Sequence, residues 1–232
     1  MVVSYKKKLI FIHIPKCAGT SIIENFYDKY TFDLHNFGTE NTFVKFLYFK
    51  YNTINKIIHN LSVVNFSDII DEKYLVPHLP MNLYISKRII TKEQFHQYHS
   101  FSVIRNPYDR FYSMYKFLYS SLKLTPLDFV SYVKNIFKNK DYDNRYQFFQ
   151  PQYKFICDEN YNIIIDEIIR FENLDKEYSK LIKKYKLNKL SHLNKSNDVI
   201  GFDNFYSNNF IKKNVFKLYK KDFEILNYQK ID

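Results

Sequence analysis

The sequence PKCAGTS at positions 15–21 combines residue types that can bind a phosphate group. Lys16 supplies a mobile positive charge, Gly19 lets the backbone approach an anion closely, and Thr20 and Ser21 supply hydroxyl donors. A short apolar run precedes the segment, and apolar side chains at helical spacing follow it. Because the first turn of a helix has unpaired N–H groups and a positive dipole end, we predict a phosphate-binding loop between a strand and a helix. The alternative is an ordinary strand-to-helix turn with a serine cap.

The sequence FSVIRNPYDRFYSMY at positions 101–115 offers a second set of anion-binding side chains. Arg105 ends a predicted strand, and Ser113 lies two turns into the helix that follows. Ligands of open α/β sheets bind outside the carboxyl ends of the strands, so Arg105 can form a bidentate pair with a phosphate and Ser113 can donate a hydrogen bond. Arg110 in the same segment is interpreted as an ion pair in solvent or at the edge of the core.

The two segments, in this order and at this spacing, resemble the blocks that bind 3′-phosphoadenosine 5′-phosphosulfate (PAPS) in Golgi-type carbohydrate sulfotransferases and their bacterial relatives. In that family the first block holds the 5′-phosphosulfate and the second holds the 3′-phosphate. The resemblance implies a P-loop-like sulfotransferase fold, PAPS as the sulfonate donor and a carbohydrate hydroxyl as the acceptor. It implies that Arg105 and Ser113 bind the 3′-phosphate, and that the 5′-phosphosulfate is bound by the loop residues Lys16, Cys17, Ala18, Gly19, Thr20 and Ser21.

Weaker similarities extend the resemblance almost to the end of the chain, through IIRFENL at 168–174, SHLNKSN at 191–197 and LYKKDFEILNY at 218–228. In relatives, the loop near the second of these segments closes over the cofactor, which implies contacts from Lys195 and Ser196. Residues 31–72 match no pattern of the family. Acceptor recognition usually lies in such variable segments.

Sulfonate transfer requires in-line geometry, neutralisation of the leaving group's charge and a base for the acceptor's proton. We expect the Lys16 ammonium to lie near the bridging oxygen between the sulfonate and the 5′-phosphate. His78 in VPHLP is the candidate base, because imidazole has a pKa near neutral pH and some members of the resembled family use a histidine from this interval. His192 is a second candidate, although its loop is better explained by closure over the cofactor. Other members of the family use a glutamate, and Glu24, soon after the phosphate loop, is the next residue to test. The alternative for His78 is that it only caps a strand or binds acidic groups of the acceptor.

The other cysteine and histidine residues give no metal-ligand pattern. Neither H-x-x-x-H nor C-x-x-C occurs, and PAPS brings its own activated sulfonate, so we expect a reaction without a metal. Cys17 and Cys157 are too few for a disulfide framework and are interpreted as packing residues. His96 and His99 lack obvious acidic partners and are expected at the surface or at a helix end. His13 is expected to pack behind the phosphate loop.

Alternating strand and helix signals would position these residues. Strands are predicted at Lys8–Ile14, Tyr74–Val76, Phe101–Arg105 and Ile163–Phe171. One helix starts at Thr20 or Ser21, and another starts with Asn106 as N-cap and Pro107 at its first position. Further helices are predicted at Pro126–Phe137, Leu174–Tyr185 and Phe210–Phe223, with a loop over 187–204. The pattern predicts one α/β domain over residues 1–232, with a central parallel sheet flanked by helices.

The formal net charge of +11 fits an anionic partner, although Lys, Asn, Ile, Tyr and Phe are enriched together and a composition bias explains the charge equally well. Two other functions stay open. A nucleotide or small-molecule kinase would be expected to carry a GK[ST] loop and a magnesium-holding Asp. A nucleic-acid-binding module could use residues 173–195, which hold seven Lys against two acids, but no recognised motif for RNA or DNA occurs. The sulfotransferase interpretation, without a nucleic-acid partner, is preferred.

No segment approaches the roughly 20 apolar residues of a membrane span. The apolar run Leu9–Ile14 follows basic residues as in a signal peptide, but it is short and leads directly into the phosphate loop. We therefore expect a cytoplasmic protein.

Overall fold

The computed structural model describes residues 2–4, 7–23, 31–33, 81, 85, 90–140, 145–190 and 200–231. Within these residues a sheet has five strands in the order β3-β1-β2-β4-β5. The strands are β1 (Val2–Ser4), β2 (Leu9–Ile12), β3 (Thr31–Asp33), β4 (His99–Ile104) and β5 (Glu167–Arg170). β2, β4 and β5 run parallel, whereas β1 pairs antiparallel with both β2 and β3. The predicted parallel sheet is therefore the centre and one side of a mixed sheet.

The parallel strands form the centre of the hydrophobic core. All four residues of β2 are fully buried, and burial continues along β4 from Ser100 to Ile104. Phe11 of β2 lies opposite Phe101 of β4, and their rings stack with centroids 5.1 Å apart. A strand that is covered on both faces is typically a continuous apolar run, and β2 has such a sequence, which is why it is predicted well.

Helices flank the sheet and connect its parallel strands. Those described are α1 (Gly19–Ile23), α2 (Lys92–Gln97), α3 (Pro107–Leu122), α4 (Pro126–Lys138), α5 (Tyr146–Phe149), α6 (Tyr153–Ile156), α7 (Leu174–Tyr185), α8 (Phe202–Tyr206), α9 (Asn209–Leu218) and α10 (Lys220–Ile225). A 3₁₀ turn, Phe171–Asn173, joins β5 to α7.

The start of α3 has the predicted cap. The Asn106 side chain accepts a hydrogen bond from the N–H of Tyr108 at 2.9 Å, and Pro107 occupies the first helical position. The predictions for α4 and α7 are also confirmed, α7 with the same bounds. The strand predicted at Tyr74–Val76 lies outside the described residues.

The helix predicted over Phe210–Phe223 is wrong in one respect, because it is two helices. α9 ends at Leu218 and α10 begins at Lys220. Between them the backbone of Tyr219 leaves helical geometry, with φ −115° and ψ 22°. Tyr219 is buried, and its hydroxyl donates a hydrogen bond to the carbonyl oxygen of Phe149 at 3.0 Å. A long-range contact thus interrupts a segment whose local periodicity predicts one helix.

The strand predicted over Ile163–Phe171 is shorter than expected. Pairing with β4 begins only at Glu167, and Ile163 instead forms an isolated antiparallel bridge with Cys157. The Asp158 carboxylate accepts hydrogen bonds from the N–H groups of Asn160 and Asn162, which turns the chain before the strand. The loop predicted over 187–204 likewise ends early, since α8 begins at Phe202.

A second hydrophobic core explains part of the high aromatic content. It lies among α3, α4, α8 and α9 and is rich in Tyr and Phe, including Tyr108, Phe111, Tyr115, Phe129, Phe205 and Tyr206. Tyr115 and Phe205 have ring centroids 4.8 Å apart, as is typical of tilted aromatic pairs. In the part of the chain that the structure describes, no helix combines the length and apolar character needed to cross a membrane.

Candidate active site at the carboxyl ends of β2 and β4

The segment between β2 and α1 has the backbone shape of an anion-binding loop. Lys16 and Ala18 have left-handed backbone angles, with φ of 67° and 60°, whereas Cys17 between them does not. Alternation of this kind turns successive N–H groups toward one concave side, where they can surround an anion. α1 then begins at Gly19, so the first helical amides follow directly. The predicted strand–loop–helix arrangement is confirmed.

Gly19 is closely packed against His13. A Cβ atom at Gly19 would overlap the His13 imidazole ring. That ring is buried and stacks on Phe11 with centroids 5.8 Å apart. The expectation that His13 packs behind the loop is confirmed, and it supplies a reason for a glycine at position 19 that the sequence alone does not reveal.

Cys17 points into the protein. Its N–H donates to the carbonyl oxygen of Ile14 at 3.3 Å, and its sulfur lies 3.5 Å from Oε1 of Gln152. Burial raises the pKa of the Cys17 thiol to about 12, so the thiol stays protonated and is a poor nucleophile. Burial also raises the pKa of Cys157 to about 11. Both cysteines are buried, as the interpretation as packing residues requires.

Lys16 lies at the mouth of the loop. Its ammonium is 4.1 Å from the centroid of the Phe117 ring. Burial and then the nearby charge of Arg105 lower the pKa of Lys16 to about 8. Phe117 itself is 56% exposed and stacks on Phe148 with centroids 5.7 Å apart. A cation and an accessible aromatic ring therefore border the same space.

Arg105 follows β4 and reaches the phosphate loop. Its Nη1 lies 3.4 Å from the carbonyl oxygen of Lys16, across 89 positions of sequence. Its guanidinium is 4.1 Å from the centroid of the Phe171 ring. Arg105 Nε is buried and has no hydrogen-bond partner in the structure as described. A buried donor without a partner, beside a loop that concentrates N–H groups, fits an anionic ligand.

Ser113 lies on the face of α3 that meets the loop. Three positions earlier, Arg110 donates from Nε to the carbonyl oxygen of Pro15 at 2.9 Å. Four positions later, Phe117 contacts Lys16. Residues three and four apart share a helix face, and Ser113 is buried between these two contacts. The face of α3 that carries Ser113 is therefore directed toward the phosphate loop.

The interpretation of Arg110 as a solvent or core-edge ion pair is wrong. Its side chain is 1% exposed and donates to three carbonyl oxygens: that of Pro15, that of Gln150 at 3.0 Å and that of Phe148 at 3.4 Å. Backbone carbonyls that leave regular structure in the interior need donors, and a guanidinium supplies several in one plane. Arg110 thus joins the start of the phosphate loop to residues 148–150.

Gln152 and Asp222 were not predicted from the sequence. The Gln152 side chain accepts from the N–H of Arg105 at 2.9 Å and donates to the carbonyl oxygen of Arg105 at 2.8 Å. The Asp222 carboxylate accepts from the N–H groups of Gln152 at 2.8 Å and Tyr153 at 2.9 Å. Gln152 and Asp222 are both 0% exposed. Asp222 lies in the third weak similarity, at 218–228, which is the one signal that could have drawn attention to it.

Five candidate residues, His78, His192, Lys195, Ser196 and Glu24, lie outside the described residues. Among the residues that the structure does describe, no group of three His, Cys, Asp or Glu side chains is placed to hold a metal ion. His96 is exposed in the last turn of α2, as expected. His99 does have an acidic partner, contrary to expectation: its Nε2 is 3.0 Å from Oε2 of Glu167, because β4 and β5 pair in parallel.

Comparison with known proteins decides among the functions left open by the sequence. The description "Sulfotransferase family" belongs to a family model that matches residues 1–229. No curated protein and no solved structure gave a match. Enzymes of this family use PAPS as donor, a molecule with two separate anionic groups. The adjoining loop and Arg105 fit such a donor, and the kinase alternative has no corresponding support. The chain belongs to the sulfotransferase family and is a PAPS-dependent sulfotransferase.

Proposed function

We propose that this enzyme transfers the sulfonate of PAPS to a hydroxyl group of a carbohydrate by in-line displacement. The observation that carries the proposal is the meeting of the phosphate loop with Arg105, whose buried Nε has no partner in the described structure. PAPS supplies an activated sulfonate and a second phosphate at the 3′ position. Two adjoining anion sites are what such a donor requires.

The residues of the loop would hold the 5′-phosphosulfate. Gly19, Thr20 and Ser21 contribute the first amides of α1, and the exposed Thr20 side chain adds a hydroxyl. Lys16 neutralises charge that develops on the oxygen between sulfur and phosphorus. A cation at that atom lowers the barrier because it interacts more strongly with the transition state than with the ground state.

Arg105 and Ser113 would hold the 3′-phosphate, the first through its guanidinium and the second through its hydroxyl. Cys17 and Ala18 would contribute through the shape of the loop, since the Cys17 amide already donates to Ile14. Lys195 and Ser196 are proposed as further contacts to the cofactor. His78 is proposed as the base that takes the proton from the acceptor hydroxyl as the oxygen attacks sulfur.

The carbohydrate acceptor is supported by Phe117. Its exposed ring borders Lys16, so it flanks the space where the sulfonate is proposed to lie. The apolar C–H face of a sugar ring can pack on an aromatic ring, while its hydroxyls stay free to react or to bind polar groups. Lys116, whose charge also lowers the pKa of Lys16, adds positive charge that would favour an acidic sugar.

The test is incubation with isotopically labelled PAPS and an array of glycans and small alcohols, followed by mass spectrometry of the products. Labelled sulfate esters of glycans are the expected result. Phe117→Ala should raise the KM for the glycan more than the KM for PAPS, although the ring also contacts Lys16. Phe210→Ala is the matched control, because Phe210 is 51% exposed with the Lys134 ammonium 5.8 Å from its ring, yet lies on α9. Transfer only to non-sugar alcohols, or equal effects of both variants, would contradict the carbohydrate assignment.

A further inference from the structure

We propose that Gln152 and Asp222 are positioning residues that hold Arg105 at a fixed place relative to the phosphate loop. The inference rests on the proposed function, because it concerns how the two anion sites are kept at the separation that PAPS requires. It is carried by a chain of buried hydrogen bonds that leads from Asp222 through Gln152 to both sites.

Gln152 replaces a neighbouring strand for one residue. β4 ends at Ile104, and the N–H and C=O of the next residue, Arg105, are both bonded by the Gln152 side-chain amide, at 2.9 and 2.8 Å. A primary amide offers one acceptor and a donor in one plane, as a peptide group does. It can therefore continue the ladder past the end of the strand and fix the backbone from which the Arg105 guanidinium extends.

The same side chain contacts the phosphate loop. Oε1 of Gln152, which accepts from Arg105, lies 3.5 Å from the sulfur of Cys17. Two positions earlier, the carbonyl oxygen of Gln150 accepts from Arg110, whose Nε donates to Pro15. Residues 150–152 are thus linked to both ends of the site by short contacts. A shift of residues 150–152 would therefore change the position of Arg105 relative to the phosphate loop.

Asp222 fixes the backbone of Gln152. Its two carboxylate oxygens accept from consecutive N–H groups, those of Gln152 and Tyr153, and its side chain is fully buried. Burial raises the pKa of Asp222 to about 6, while Arg110 and the two amides favour the charged form. A buried carboxylate whose two oxygens accept from backbone amides holds that backbone in one place, and an apolar residue of the same size would not.

This arrangement predicts a specific defect when Gln152 is changed. Gln152→Met keeps the volume but removes both hydrogen bonds to Arg105, so the guanidinium loses its fixed origin. Affinity for adenosine 3′,5′-bisphosphate should fall about tenfold, as expected when an arginine–phosphate pair is misplaced. Affinity for AMP, which has no 3′-phosphate, should stay within about twofold. Gln147→Met is the matched control: Gln147 is also buried, and Oε1 of its side chain has no hydrogen-bond partner within the described chain.

The experiment is calorimetric titration of wild type, Gln152→Met, Gln147→Met, Arg105→Ala and the Gln152→Met/Arg105→Ala double variant with both nucleotides. If Gln152 acts through Arg105, the double variant should bind adenosine 3′,5′-bisphosphate no more weakly than Arg105→Ala alone. Asp222→Asn, which places an NH₂ group against one of the two amides, should reduce the preference for the bisphosphate in the same direction. Gln152→Glu, which is isosteric but turns an oxygen toward the Arg105 carbonyl, repeats the test if Gln152→Met does not fold.

Two outcomes separate this inference from the proposed function. A wild-type protein that binds AMP as tightly as adenosine 3′,5′-bisphosphate contradicts the proposed function itself. The positioning role is overturned if the wild type prefers adenosine 3′,5′-bisphosphate over AMP and folded Gln152 variants keep the same preference. Loss of thermal stability with an unchanged preference would likewise assign Gln152 to packing alone and overturn the proposal.

Discussion

The ammonium of Lys16 lies 4.1 Å from the centre of the Phe117 ring. Burial and Arg105 together lower the pKa of Lys16 to about 8, while the face of an aromatic ring favours the cationic form. At pH 7 the ammonium is therefore still charged. It lies beside the loop at which the negatively charged donor is proposed to bind.

The first prediction is a pH limit set by Lys16. Because the lowered pKa means that the charge is lost as pH rises through about 8, kcat/KM for PAPS should fall above that pH. The decline in kcat should lie at higher pH, since a phosphosulfate bound beside Lys16, as proposed, would stabilise the ammonium. Lys16→Arg should remove this decline but give low turnover, because a planar guanidinium does not fit a site for a compact ammonium. Initial rates between pH 6 and 10 test this, and an unchanged decline in Lys16→Arg would contradict it.

The second prediction concerns the 3′-phosphate. Arg105→Ala should weaken binding of adenosine 3′,5′-bisphosphate by about 1.5–3 kcal/mol, the range for a hydrogen bond to a charged group. AMP binding should change little. Arg105→Lys should recover part of the affinity, since it restores the charge without the two-pronged geometry. Calorimetry checks both values; equal losses for AMP and the bisphosphate would show that Arg105 does not face the 3′-phosphate.

The third prediction concerns the close packing of Gly19 and His13. Gly19→Ala should lower the free energy of unfolding by about 1–3 kcal/mol, because the added methyl overlaps the imidazole ring. In a His13→Ala background the same substitution should cost much less, because the ring is gone. Urea denaturation of the four proteins of this cycle gives the coupling energy. The same loss in both backgrounds would show that the contact with His13 is not what requires glycine there.

The fourth prediction tests the base. His78→Ala should reduce turnover by roughly 10²–10⁴-fold and leave the affinity for adenosine 3′,5′-bisphosphate nearly unchanged. His96→Ala is the control, since His96 is an exposed histidine at the end of α2 and should be neutral. Wild-type turnover in His78→Ala would direct the search to Glu24.

The fifth prediction is independence from divalent metal. Treatment with EDTA should leave sulfonate transfer intact, because in the proposed site Lys16, Arg105 and the loop amides would provide the positive charge that the donor needs. The test is to measure transfer rates before chelation, after chelation and after magnesium is added back. Complete loss that magnesium restores would contradict this account of the site.

The features that the sequence predicts correctly have local causes. A strand buried on both faces is a continuous apolar run, as in β2, and a helix that opens with Asn106 and Pro107 carries its start signal in consecutive residues. The phosphate loop combines both signals within a few positions. β1 and β3 were not predicted because each has only three residues, too few to show a period.

The features that the sequence does not predict depend on distant partners. Gln152 lies 47 positions from Arg105, and Asp222 lies 70 positions from Gln152. Apart from the weak similarity at 218–228, which includes Asp222, nothing in the local sequence distinguishes either residue from a surface amide or acid. Arg110 resembles a surface charge in the sequence for the same reason. It is buried because it donates to the carbonyl oxygens of Pro15 and Gln150, which are distant in sequence.

The parallel pairing of β2 with β4 also has a consequence for folding. The contact between Arg105 and Lys16 joins residues 89 positions apart. Contacts between distant residues form slowly, because the chain loses conformational entropy before the contact stabilises the structure. A nascent chain that ends before β4 would carry the complete phosphate loop without its arginine. High-affinity nucleotide binding should therefore arise only after β4 has paired with β2, so that a fluorescent nucleotide added during refolding would report that step. Through mass action the same nucleotide would then stabilise the finished protein.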